Sequence, residues 1–117
     1  MCEPLPVVRP TVLVVDDDPT VGHMVKLSMQ IDGAEVLSAT TLAEARLQLA
    51  QHLDGIVLDR VLPDGDGLEL LPDIEQLCPD VPVVVYSSLD DGKEPASVKR
   101  VFKSDIASLF DVLGLGR

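Results

Sequence analysis

Aromatic residues are nearly missing from this chain: it has no tryptophan, one tyrosine and two phenylalanines in 117 residues. With 46% of its residues hydrophobic, the interior must be aliphatic, packed from Val, Leu, Ile and Ala. Cysteine is scarce as well. Cys2 and Cys78 are too few for a disulfide framework and lack metal-site spacing, so both are expected to be reduced thiols. Positive charge is thin, with nine basic residues against twenty acidic ones and a net charge of −11. A surface of that sign repels nucleic-acid phosphates and attracts divalent cations, so no direct nucleic-acid binding is expected. No run approaches the ~20 apolar residues of a membrane span. The opening MCEPLPVVRP carries an acid and early prolines where a signal peptide needs basic residues before an apolar run, so a cytoplasmic location is expected.

What is there alternates regularly. Residues 1–10, with three prolines, read as a flexible tail, and residues 11–114 as one domain. TVLVVDD (11–17) is a strand buried on both faces, as inside parallel sheets. Asp18-Pro19 starts a helix, in which Val21, Met24, Val25, Ser28 and Ile31 recur at helical spacing, and Asp32-Gly33 stops it. AEVLSA (34–39) is a second strand. Thr41 and Glu44 form a capping box for a helix through about Gln51, with Leu42, Ala45 and Leu49 inward. GIVLD (55–59) is a third buried strand and RVLPDGDG (60–67) a turn. Leu68, Leu71, Ile74 and Cys78 outline a third helix, and VPVVVYSS (81–88) a fourth strand. Gly92 and Pro95 interrupt residues 89–97, which are expected to form a loop of at most one helical turn. VKRVFK (98–103) is the expected fifth strand, and residues 104–114 a closing helix. Val98 and Val101 are expected on an exposed flank, with Lys99 and Arg100 turned towards an acidic partner. The β-α alternation implies a parallel sheet with right-handed crossovers.

The strands end in polar residues: Asp16 and Asp17 after the first, Asp59 after the third, Ser87 and Ser88 after the fourth, Lys103 after the fifth. In a doubly wound sheet these ends converge where ligands bind. Three converging carboxylates repel unless a cation compensates, and a few hard oxygen ligands with room for water suit Mg²⁺. Such a site can neutralise an arriving phosphoryl group beside Asp59, with Lys103 adding charge and the Ser87 hydroxyl a hydrogen bond.

VLVVDDDP, GIVLDRVLPDGDGLELL, VPVVVYSS and VFKS together resemble the receiver domain of bacterial two-component response regulators, over roughly residues 11–113. The resemblance implies a flavodoxin-like α/β fold, a doubly wound five-stranded parallel sheet in the order 2-1-3-4-5. It implies Asp59 as phosphoacceptor, Ser87 and Lys103 as its catalytic partners, and Mg²⁺ held by Asp16, Asp17, Asp59 and the backbone carbonyl of Val61. Backbone amides near Val61 and Ser88 would hold phosphoryl oxygens. It further implies a histidine kinase or histidine phosphotransfer partner, and no enzymatic activity beyond self-catalysed phosphoryl transfer and slow loss.

Three features depart from the family pattern. Ser104 follows Lys103 where a proline is usual, and Arg100 stands at the switch-aromatic position. Only fifteen residues separate Ser87 from Lys103, so the fourth helix is expected to be shortened or absent. Two other readings stand beside the resemblance. Asp16, Asp18 and Thr20 spell the DxDxT of haloacid-dehalogenase-like phosphatases, although no acidic pair follows Lys103 and the Asp59–Pro63 loop goes unused. A receiver-like module that binds partners without phosphate is the other.

Overall fold

The computed structural model describes residues 9–87, 91–95, 98–101 and 109–114. The chain runs β1 (Thr11–Val15), α1 (Pro19–Ile31), β2 (Glu35–Ala39), α2 (Leu42–Gln48) and β3 (Gly55–Asp59). A hairpin of two short strands follows, β4 (Val61–Leu62) and β5 (Gly65–Asp66), then a 3-10 turn (Gly67–Leu70) running into α3 (Leu71–Leu77). The described chain closes with β6 (Val83–Tyr86), β7 (Lys99–Val101) and α4 (Leu109–Val112). Five strands pair in parallel in the order β2-β1-β3-β6-β7. With the hairpin counted apart, this is the expected 2-1-3-4-5 order.

Strand side chains alternate between faces, and that period sorts the aliphatic residues into two cores. Leu13, Val15, Ile56, Leu58 and Val85 pack on one face under Leu42, Ala45, Leu49, Leu70 and Ile74 of the α2–α3 side. Val12, Val14, Val57, Val84 and Val101 pack on the other, under Val25 and Met29 of α1 and Leu109 of α4. Every residue of β3 is buried, as a central strand between two helical layers requires.

Local signals act as the sequence implies, with corrections. The Asp18 carboxylate accepts the amides of Thr20 (2.9 Å) and Val21 (3.2 Å), with Pro19 in the first turn. Of the residues at helical spacing in α1, Val25 is buried and Val21 packs half-buried against the core, but Met24 is 53% and Ile31 85% exposed, and Met29 completes the inward face instead. Apolar residues surround α1, so its phase is fixed by contact with the sheet rather than by pattern. At α2, Thr41 accepts the Glu44 amide at 3.0 Å, but Glu44 reaches back to Thr40 rather than to Thr41, and the helix stops at Gln48. Two further amides at the start of α2, of Leu42 and Ala43, donate to Asp64 at 2.8 and 3.2 Å.

The flank beside β7 also differs. Val101 is buried in the α1-side core instead of exposed, because its pairing with Tyr86 sets the strand's phase. Val98 is half-buried against the other core. Arg100 does not face outward for a partner; it is ion-paired with Glu94 at 3.0 Å. Residues 91–95 contain no helix, which fits a shortened or missing fourth helix. Among the described residues, no helix is long and apolar enough to cross a membrane.

Candidate functional site

β1 and β3 are neighbours in the sheet while β2 lies outside β1, so the order of strand addition reverses between them and a crevice opens beyond their carboxyl ends. Asp16 and Asp17 follow β1 there, and Asp59 is the last residue of β3. One carboxylate oxygen from each lies within 4.8 Å of the others. Asp59 is 1% and Asp16 5% exposed, whereas Asp17 is open to solvent. Among the described residues, no basic side chain pairs with Asp16 or Asp17. Two buried carboxylates and one exposed one form an oxygen-only donor set with an open side, and this set fits a hard divalent ion that keeps part of its water.

Both oxygens of Asp16 are held. Oδ1 accepts the Asp18 amide at 2.8 Å, and Oδ2 accepts the hydroxyl of Tyr86. Burial, and then the bond to Asp16, push the Tyr86 phenol well above its usual range, so it stays a donor. The Val61 amide points to Asp59 Oδ1 at 3.3 Å. Ser87 is buried and its amide donates to the Val101 carbonyl at 3.2 Å, which ties the end of β6 to β7. Ser88 and Lys103 lie outside the described residues. The structure therefore brings together Asp16, Asp17 and Asp59, with Val61 beside them.

Gly67 closes the loop that follows Asp59. Its amide donates to the Arg60 carbonyl at 2.7 Å, and a Cβ at this position would overlap the Asp59 carbonyl oxygen. Asp66 then caps the 3-10 turn, accepting the Leu68 amide at 2.9 Å while Glu69 accepts the Asp66 amide at 2.8 Å.

Arg60, next to Asp59, is 1% exposed. It bonds both oxygens of Asp66 (2.9 and 2.8 Å) and both of Asp91 (2.9 and 3.1 Å). Its Nη1 also meets Glu94 at 2.6 Å. These forked, charge-assisted contacts hold the Asp66 and Asp91 carboxyls below the usual carboxylate range and raise the guanidinium further.

The model of the response regulator receiver domain matches residues 12–107. The chain belongs to the response regulator receiver domain family. The KDP operon transcriptional regulatory protein KdpE of Escherichia coli (strain K12) is 38% identical over 78 residues, which is 66% of this chain and 34% of that protein. The receiver domain thus spans about a third of that relative's length. A CheY-like response regulator receiver domain protein from Methanospirillum hungatei JF-1 has the same fold: TM-score 0.81, 21% identity, covering 89% of this chain and 90% of that one. The structure of histidine kinase ThkA in complex with response regulator protein TrrA also matches, with TM-score 0.69 and 24% identity over 80% of this chain and 84% of the other.

In this receiver domain the DxDxT resemblance has a plain local cause. Asp18 spends its carboxylate on capping α1, and the Thr20 amide is one of its donors. Two residues of the neighbourhood escaped sequence reasoning. Arg60 sits in a turn-rich stretch where a charge reads as solvated. Tyr86 is hidden inside the strand that ends in Ser87, although a lone tyrosine in an aliphatic core always calls for a hydrogen-bond partner.

Proposed function

We propose that this receiver domain is a phosphoacceptor: Asp59 takes a phosphoryl group from a phosphohistidine of a histidine kinase or histidine phosphotransfer protein, and the change is passed on by protein–protein contact. The observation that carries this reading is the convergence of Asp16, Asp17 and Asp59 within 4.8 Å at the strand ends. A carboxylate oxygen of Asp59 attacks phosphorus; the O–P bond forms as the P–N bond breaks, and the imidazole leaves with the electron pair. Asp16, Asp17, Asp59 and the Val61 carbonyl would hold Mg²⁺. That ion, when bound, supplies charge neutralisation for the phosphoryl oxygens.

The chain's own residues do the remaining work. Burial of Asp59 at a strand end limits its motion and excludes bulk water around the nucleophile. The Val61 amide, already aimed at Asp59 Oδ1, is a donor for a phosphoryl oxygen. Ser87 and Lys103 take the hydroxyl and ammonium roles, and the Ser88 amide joins that of Val61. A kinase partner is supported by the complex of ThkA with TrrA, a protein pair of that kind. A net charge of −11 argues against nucleic-acid contact by this domain, and the composition supports a cytoplasmic setting without membrane contact. No turnover beyond phosphoryl acceptance and slow loss is proposed.

The test is incubation with acetyl phosphate and Mg²⁺, read by intact mass. One phosphoryl group should add to the parent chain and none to Asp59→Asn. Equal labelling of both would overturn the assignment. A parent that takes no phosphate would favour a phosphate-independent interaction module. The ion pairing of Arg100, at the aromatic switch position, gives that second reading its support.

A further inference from the structure

Tyr86 is the chain's one tyrosine and is fully buried among Val14, Val57 and Val84. Packing alone would be served equally by phenylalanine, so the hydroxyl needs its own account. It donates to Asp16 Oδ2 from β6, while the Asp18 amide holds Oδ1 from the loop that begins α1. The alternation of strand faces explains the meeting. Asp59 pairs in register with Tyr86, one residue beyond the Leu58–Val85 pair, so both side chains leave the sheet on the side that Asp16 occupies.

A carboxylate gripped at both oxygens cannot turn about its Cβ–Cγ bond without losing a donor. Each oxygen still keeps a free lone pair. Without such grips, three neighbouring carboxylates would relax apart, and a cation would have to gather them at the moment of binding.

We propose that Tyr86 is a positioning residue for the divalent-cation site, its hydroxyl fixing the Asp16 carboxylate where an oxygen lies within 4.8 Å of those of Asp17 and Asp59. The proposal rests on the cation reading given above. It assigns to a strand residue outside the acidic cluster a share of the site's affinity. Hydrogen-bond partners of this kind typically contribute 10–100-fold to metal affinity, so removal of the hydroxyl should weaken Mg²⁺ binding by about tenfold.

The experiment titrates the whole chain with Mg²⁺ by calorimetry, in the parent, Tyr86→Phe, Asp16→Ala and the double variant. Tyr86→Phe should raise Kd about tenfold in the parent background and change nothing in the Asp16→Ala background. An unchanged Kd in Tyr86→Phe overturns the positioning role and leaves the cation reading standing. An equal loss in both backgrounds also overturns it, since Tyr86 would then act without Asp16. A parent with no measurable Mg²⁺ binding removes the cation reading and this inference together. A second measurement needs no mutation: with no tryptophan present, ultraviolet emission of the parent comes from Tyr86, whose hydroxyl faces a site carboxylate. That emission should change in step with Mg²⁺ occupancy, and emission indifferent to saturating Mg²⁺ overturns the proposal.

Discussion

The guanidinium of Arg60 lies 2.6 Å from the carboxylate of Glu94, thirty-four positions further along the chain. The other oxygen of Glu94 meets Arg100 of β7. One acid thus joins the turn after Asp59 to the last strand of the sheet, across the stretch where a fourth helix would otherwise stand. Arg60→Met should cost about 3 kcal/mol, because it leaves Asp66 and Asp91 facing each other without their cation and Glu94 with Arg100 alone. Chemical denaturation measures the loss. Amide exchange should quicken in residues 91–95 and 98–101 and stay unchanged in β1. A variant as stable as the parent would show that the ion pairs add nothing to the fold.

The same network sets an acid limit. Asp66 and Asp91 are held below their ordinary value of 3.8 chiefly by Arg60. A carboxyl depressed in the folded state contributes stability that is complete above the unfolded value and lost as pH falls through the folded one. Melting temperature should therefore decline as pH drops below about 4. In Arg60→Met that decline should shrink or reverse, since protonation then relieves repulsion. Parallel slopes in the two proteins would detach the acid response from Arg60.

Gly67 is the tightest point of the loop after Asp59. Gly67→Ala should cost about 2 kcal/mol, as overpacking against a backbone oxygen does, and should slow labelling of Asp59 because the carbonyl it displaces belongs to that residue. Urea unfolding and phosphoryl uptake give the two readouts. Unaltered values in both would mean that the loop yields freely.

Loss of the phosphoryl group requires a water guided to phosphorus. Val61, 56% exposed beside Asp59, is apolar, and so is Leu89, which lies outside the described residues. Slow release of phosphate is expected from the parent. Val61→Asn combined with Leu89→Glu should release it severalfold faster, and a double variant no faster than the parent would remove water guidance as the cause.

How far the sequence could be read depended on whether a residue's neighbours lie close in the chain. Asp18-Pro19 places α1 by itself, since a cap needs only the next two amides. GIVLD reads as a buried strand because all five residues are apolar or terminal, and all five are buried. The acidic cluster followed from strand order, so Asp16, Asp17 and Asp59 were readable together. Phase and partnership were not. Met24 and Ile31 match helical spacing as well as Met29 does, and only contact with Val12 and Val14 selects between them. Val101 turns inward because of its register with Tyr86, which pattern does not encode. Arg60 is a surface charge by composition and a buried hub by contact, because its acids come from positions 66, 91 and 94.

The borrowed cap of α2 has a consequence for how the chain becomes ordered. Seven residues make too short a helix to persist in water unaided. Its first two amides wait for Asp64, twenty-two positions downstream at the tip of the β4–β5 hairpin. This part of the α2 cap therefore exists only where the turn beyond β3 is closed. The start of the second helix and the turn beyond the third strand thus depend on each other for their order, although twenty-two positions separate them.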